Sequence, residues 1–196
     1  KLTEAELVLT HIAGRWPHAR RVIKEKIKDY EKAGFYFELD FLTRCFVVLL
    51  TKAALFEKMT EDVYQVTTED VYKETWNKLV KILNYIIPIL KQSAYISGSK
   101  DMSTNNVLVP LVAYLSTNGG SFSAELKNQF LYWMFLALIW GRYSGQTAQR
   151  LDKDVYLATT SKQPVTDLLK EIDDQRGRIE IKAADLEGRG AGHPLH

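Results

Sequence analysis

Apolar residues return every three or four positions along most of the chain, and strict alternation is almost absent, a pattern that predicts helices and almost no strand. Thr3 with Glu6 three positions on makes a capping-box pattern ahead of a helix over residues 4–13, with Gly14 as its stop. Pro17 suits the first turn of a second helix that runs to residue 32, and Gly34 suits a left-handed stop after it. Ala19, Ile23, Ile27 and Tyr30 form the inner face of that helix, while Arg20, Lys24 and Lys28 fall four apart on another face. Asp40 is placed to cap a third helix over 41–51, and Thr68 a long fourth over 69–93. Val71, Trp76, Leu79, Val80, Leu83, Ile86, Ile87 and Leu90 keep the fourth near the helical period. Pro88 lies inside it and is expected to kink it or end it early.

A loop over 97–101 precedes a fifth helix, 104–116, with Pro110 inside it. After a turn at Gly119 and Gly120, Ser123 caps a sixth helix that runs to residue 140. Gly141 and Gly145 bracket a break, and two further helices cover 147–159 and 164–175. Ile179, Glu180 and Ile181 alternate and are expected to form at most a short extended piece, and the Gly-rich residues 188–192 are expected to be mobile. The expected fold is therefore all-α: an irregular bundle of about seven or eight helices over residues 1–176, followed by a partly mobile segment over 177–196. No repeat of solenoid length is evident.

Composition narrows the function classes. The 196 residues are 46% hydrophobic and 26% charged, an ordinary balance for a folded domain, and the net charge of +2 is too small to argue for nucleic acid by itself. The longest strongly apolar run, 130–140, falls short of the roughly 20 residues that span a bilayer, so no membrane association is expected. The single cysteine, Cys45, excludes an internal disulfide and fits a cytoplasmic location, and its apolar surroundings predict a buried core thiol. The sequence starts at Lys1, already in a helix pattern, and is expected to be part of a longer protein.

Candidate chemistry is sparse. His11, His18, His193 and His196 stand at no metal-ligand spacing, so no metal site is expected. No nucleophile elbow is present, and Gly98-Ser99-Lys100 lacks the earlier glycine and preceding strand of a phosphate loop. No catalytic residue is assigned. Three constellations remain. Arg20, Lys24 and Lys28 make either a solvated face or a row of phosphate contacts. Asn105 and Asn106 either cap the apolar helix that follows or face a polar pocket. The richest stretch joins Arg142, Tyr143 and Ser144 to Arg150, Asp152 and Asp154 around a glycine-bracketed corner. Either carboxylate is able to form a bidentate pair with an arginine there, giving a corner that locks two helices or a site for a ligand or neighbouring domain.

An ordered set of these residues resembles the helical region of the GmrSD-type restriction proteins and their relatives. The set comprises Leu2-Thr3-Glu4-Ala5-Glu6-Leu7, Trp16-Pro17 with Ala19-Arg20, and Gly34-Phe35 with Asp40-Phe41-Leu42 and Arg44. It continues with Asn105-Asn106 and Pro110, Phe130 and Trp133, Gly141-Arg142-Tyr143-Ser144-Gly145 and Leu151-Asp152-Lys153-Asp154. The resemblance covers roughly residues 1–170 and implies a modular parent. Such proteins carry a ParB-like nucleotide-binding domain with an Asp-Gly-Gln-Gln-Arg motif, and many carry a His-Asn-His nuclease domain. Neither motif occurs in this sequence, so no family catalytic residue transfers to it. The implied function is a non-catalytic helical scaffold in a DNA-restriction or phage-defence protein. The implied NTP and divalent metal belong to the parent rather than to this chain. The implied partners are its other domains and DNA, with self-association left open. A freestanding helical interaction module and a DNA-binding module using the Arg20/Lys24/Lys28 face remain as alternatives.

Overall fold

Short polar side chains start three of the helices, each satisfying backbone amides that have no partner in the first turn. In the computed structural model, which describes residues 2–182 and Asp185, Thr3 and Glu6 form a reciprocal capping box at the start of α1 (Glu4–Arg15). Helix α2 (Ala19–Lys32) ends in a left-handed stop at Gly34, where Phe35 N–H reaches back to Tyr30 O. It is followed by α3 (Leu39–Thr51), a 3₁₀ turn (Phe56–Lys58) and the short α4 (Glu61–Val66). Thr68 caps α5 (Glu69–Ser93), and α6 (Leu108–Thr117) follows a 3₁₀ turn at Asn105–Val107. Ser123 caps α7 (Ala124–Ile139), and α8 (Thr147–Thr160) and α9 (Pro164–Arg176) complete the described helices.

The arrangement is an irregular all-helical bundle with no strand among the described residues. Helix α6 is its axis. Leu108 through Ser116 are all buried, and α3, α5 and α8 pack around it. A helix apolar on every side has to be enclosed in this way. Helix α3 is nearly as dry, with Phe41, Leu42, Thr43 and 45–49 buried between α1, α2, α5 and α6. Cys45 lies within it, fully buried.

Several local expectations are corrected. Gly14 sits inside the last turn of α1, and α2 starts two residues after Pro17. The residue at the start of α3 is Glu38, and Asp40 instead pairs with Arg44 one turn on at 3.2 Å. Pro88 does not end α5, which runs on to Ser93 because Ile86 and Leu90, on either side of the proline, are both buried in the core. Pro110 is accommodated because it falls in the first turn of α6, where its missing N–H would have had no helical partner. Helix α4 was not expected; six residues are too few for a periodic signal. Residues 179–181 form no strand. The Gly-rich residues 188–192, His193 and His196 lie outside the described residues.

Candidate functional site

The corner after α7 is built by saturation. A helix end leaves carbonyls without partners, and here every carbonyl from Trp140 to Ser144 is taken by a side chain. Arg176 donates to Trp140 O, and Ser144 Oγ donates to Gly141 O. Arg150 Nη1 donates to both Arg142 O and Ser144 O, and Thr147 Oγ1 donates to Tyr143 O.

Arg142 turns inward from this corner and is only 3% exposed. Its Nε and Nη2 grip the two oxygens of Asp154 on α8 at 2.8 and 2.6 Å, a bidentate fork. Its Nη1 donates to Glu171 O and to Gln175 Oε1 on α9, both at 3.0 Å. Glu171 Oε2 stands 3.5 Å from Nη2, and Lys153 holds the other oxygen of that carboxylate at 2.8 Å. Four of the five guanidinium hydrogens are thus donated in hydrogen bonds, and Glu171 adds an ion pair. Tyr143 adds a third hydrogen bond to Asp154, 2.7 Å from Oδ2. Burial pushes the Asp154 carboxyl up from its ordinary range, while Arg142 and Tyr143 pull it back down. Burial also raises the Tyr143 hydroxyl far above its usual value, and the carboxylate beside it adds to the effect. The network ties α7, α8 and α9 together. Outside it lies a shallow hollow of about 310 Å³ edged by Arg150, Lys153, Glu171 and Asp174, with charges of both signs.

Asp152, two residues from Asp154, is on another side of α8. Its Oδ1 accepts the amide of Ala54 at 2.7 Å, and Arg44 Nη1 donates to the carbonyl of the same residue at 2.8 Å. Asp152 is thus separated from the Arg142 network and fastens α8 to the segment after α3.

Asn105 and Asn106 do not cap α6 with their side chains. Thr104 Oγ1 accepts the Asn106 amide, and Asn105 bridges two loops, donating to Tyr36 O at 2.9 Å and accepting from Ser99 Oγ at 3.0 Å. The two loops interlock at their glycines. A Cβ on Gly98 would stand 2.3 Å from Gly34 O, so only glycine fits there. Asp101 closes the far side by accepting the amides of Ser97 and Gly98. Both asparagines line an open polar hollow of about 300 Å³, together with Glu38, Asp40 and Ser103.

The basic row of α2 is divided. Arg20 leans onto α1, donating to Thr10 Oγ1 at 2.7 Å and Glu6 O at 3.3 Å, whereas Lys24 and Lys28 are exposed. Glu25 and Asp29 share the helix, the latter beside Lys26 and Lys32. Among the described residues no group of three or more His, Cys, Asp or Glu is placed to hold a metal ion, and no helix is long and apolar enough to cross a membrane.

Sequence reasoning missed Glu171, Gln175 and Arg176 as members of the corner. Their spacing on one face of α9 was available, but nothing local tied it to a residue some 30 positions earlier. Compared with known protein families, with characterised proteins and with solved structures, the chain has no match in any of the three.

Proposed function

We propose that the chain is a helical scaffold domain of a GmrSD-like DNA-restriction or phage-defence protein, holding neighbouring modules rather than performing chemistry itself. The observation that carries this reading is the saturated corner. Arg142, Tyr143, Ser144, Arg150 and Asp154, which have the functional groups of a ligand site, spend them on one another and on backbone carbonyls. Other residues behind the family resemblance have the same kind of role: Asp152 and Arg44 hold Ala54 from both sides, and Asn105 joins the loops around Gly34 and Gly98. In this reading the NTP, the divalent metal and the DNA-cleaving groups of the parent belong to its other modules, in the cytoplasm.

The test pairs thermal unfolding with assays of NTP hydrolysis and DNA cleavage on the chain as it stands. The scaffold reading expects neither activity in the chain and a large loss of stability in Arg142→Ala. An activity of this chain that disappears in Arg142→Ala while the melting temperature holds would overturn it. Direct DNA binding receives less support, since Arg20 is engaged with α1. A gel shift at low salt that is lost in Lys24→Ala/Lys28→Ala would restore it.

A further inference from the structure

A groove unused by the scaffold contacts runs between α1 and the segment that follows α3. Helix α1 is apolar on two sides. Ala5, Leu9 and Ile12 are buried, and α1 packs on α3. Glu4, Leu7, Val8 and His11 follow the i, i+3, i+4, i+7 spacing of a second face, which the described residues cover only in part. Facing them are Phe56, Glu57 and Met59 of the 3₁₀ turn, and Tyr64 of α4, whose ring stacks on His11 at 4.7 Å. Together they enclose about 260 Å³. Val8, Phe56 and Met59 are buried, whereas Leu7 is 51% exposed. Glu4, Phe56 and Glu57 also line a second hollow of about 190 Å³ that continues toward Leu55 and Ala148.

Charge specifies the occupant. Glu4 and Glu57 are exposed, border both hollows and have no ion-pair partner among the described residues. The cation nearby, Arg44, is already committed to Asp40, to Ala54 O and to the face of Phe56. Each hollow by itself lies below the roughly 300–1,000 Å³ of small-molecule pockets and suits a side-chain anchor. With no sheet edge among the described residues, strand addition is not available, and a helix laid in a groove is the recognition mode that fits. We propose that this groove docks an amphipathic helix of a partner protein. An apolar side chain of that helix seats over Val8 and Phe56, and a flanking lysine or arginine lies against Glu4 and Glu57. The proposal goes beyond the scaffold reading and does not depend on the family resemblance.

The probes are two fluorescein-labelled amphipathic helical peptides, one of leucine and lysine and its leucine–glutamate counterpart, read by fluorescence anisotropy with the full chain. The leucine–lysine peptide is expected to bind and the leucine–glutamate peptide is not. Leu7→Asp, a change at an exposed position, should weaken binding by about tenfold or more. Glu4→Lys/Glu57→Lys should weaken it likewise and transfer preference to the leucine–glutamate peptide. Circular dichroism melts check that both variants fold. Absence of binding, equal binding of both peptides, or binding that ignores Leu7→Asp and responds only to salt overturns the proposal. So does self-association of the chain in sedimentation that Leu7→Asp abolishes, because a second copy would then be the occupant.

Discussion

Asp152 Oδ1 accepts the backbone amide of Ala54 at 2.7 Å, a contact across 98 positions of sequence. It is partly buried, so removing the acceptor leaves an amide without a partner. Asp152→Ala should lower stability by about 1–2 kcal/mol, and Asp152→Asn, which keeps an acceptor oxygen, by clearly less. Urea unfolding of the two variants checks this; equal losses would mean that the charge of Asp152, rather than its hydrogen bond, matters.

Arg142 presents the larger effect. Arg142→Ala strands the buried Asp154 carboxylate, which is 0% exposed, and should cost about 3–5 kcal/mol. Arg142→Lys should also be destabilising, because an ammonium cannot reproduce the fork to Asp154 and the two bonds to α9. The double variant Arg142→Met/Asp154→Leu should recover a substantial part of the loss. Chemical denaturation of all three gives the comparison, and a double variant no more stable than Arg142→Ala counts against it.

These two sites also show what the sequence made legible. Helix starts at Thr3, Thr68 and Ser123 were readable because a cap and its target amides lie within three residues. The pairing options for Arg142 were readable because Asp154 is only 12 positions away. The partner of Asp152 was not, since no local rule links α8 to residue 54. Of the two outcomes expected of Pro88, a kink or an early end, the early end does not occur, because the packing of Ile86 and Leu90 outweighs a local effect. For Asn105 the sequence left a cap and a polar pocket open, because its position relative to α6 was visible and Tyr36 O was not.

Asp101 gives the interlocked loops a pH dependence. Burial by itself would raise its carboxyl, but hydrogen bonds from Ser97 and Gly98, with Lys100 nearby, outweigh this and hold it below the ordinary carboxylate range. The folded value lies below the unfolded one. The contribution is therefore complete above the unfolded value and disappears as pH falls through the folded one. Wild type should be more stable than Asp101→Asn at neutral pH, and the gap should close as pH falls through and below the ordinary carboxylate range. Urea midpoints across that range test it, and a gap independent of pH excludes the titration of Asp101 as its source.

Tyr95 follows the C-terminal cap of α5 in the left-handed region, at φ 56°, and is 88% exposed. A tyrosine pays a steric cost in that conformation that glycine avoids, and it recovers little by burial. Tyr95→Gly should therefore raise stability by about 0.5–1 kcal/mol. A thermal melt reads the sign, and destabilisation would point to an unrecognised contact of the ring.

Helix α6 receives its covering from both halves of the chain: α3 and α5 come before it and α8 after it. Neither half can peel away without wetting the same apolar helix. The bundle consequently has no natural seam, and its innermost amides can exchange hydrogen with solvent only when the whole molecule opens.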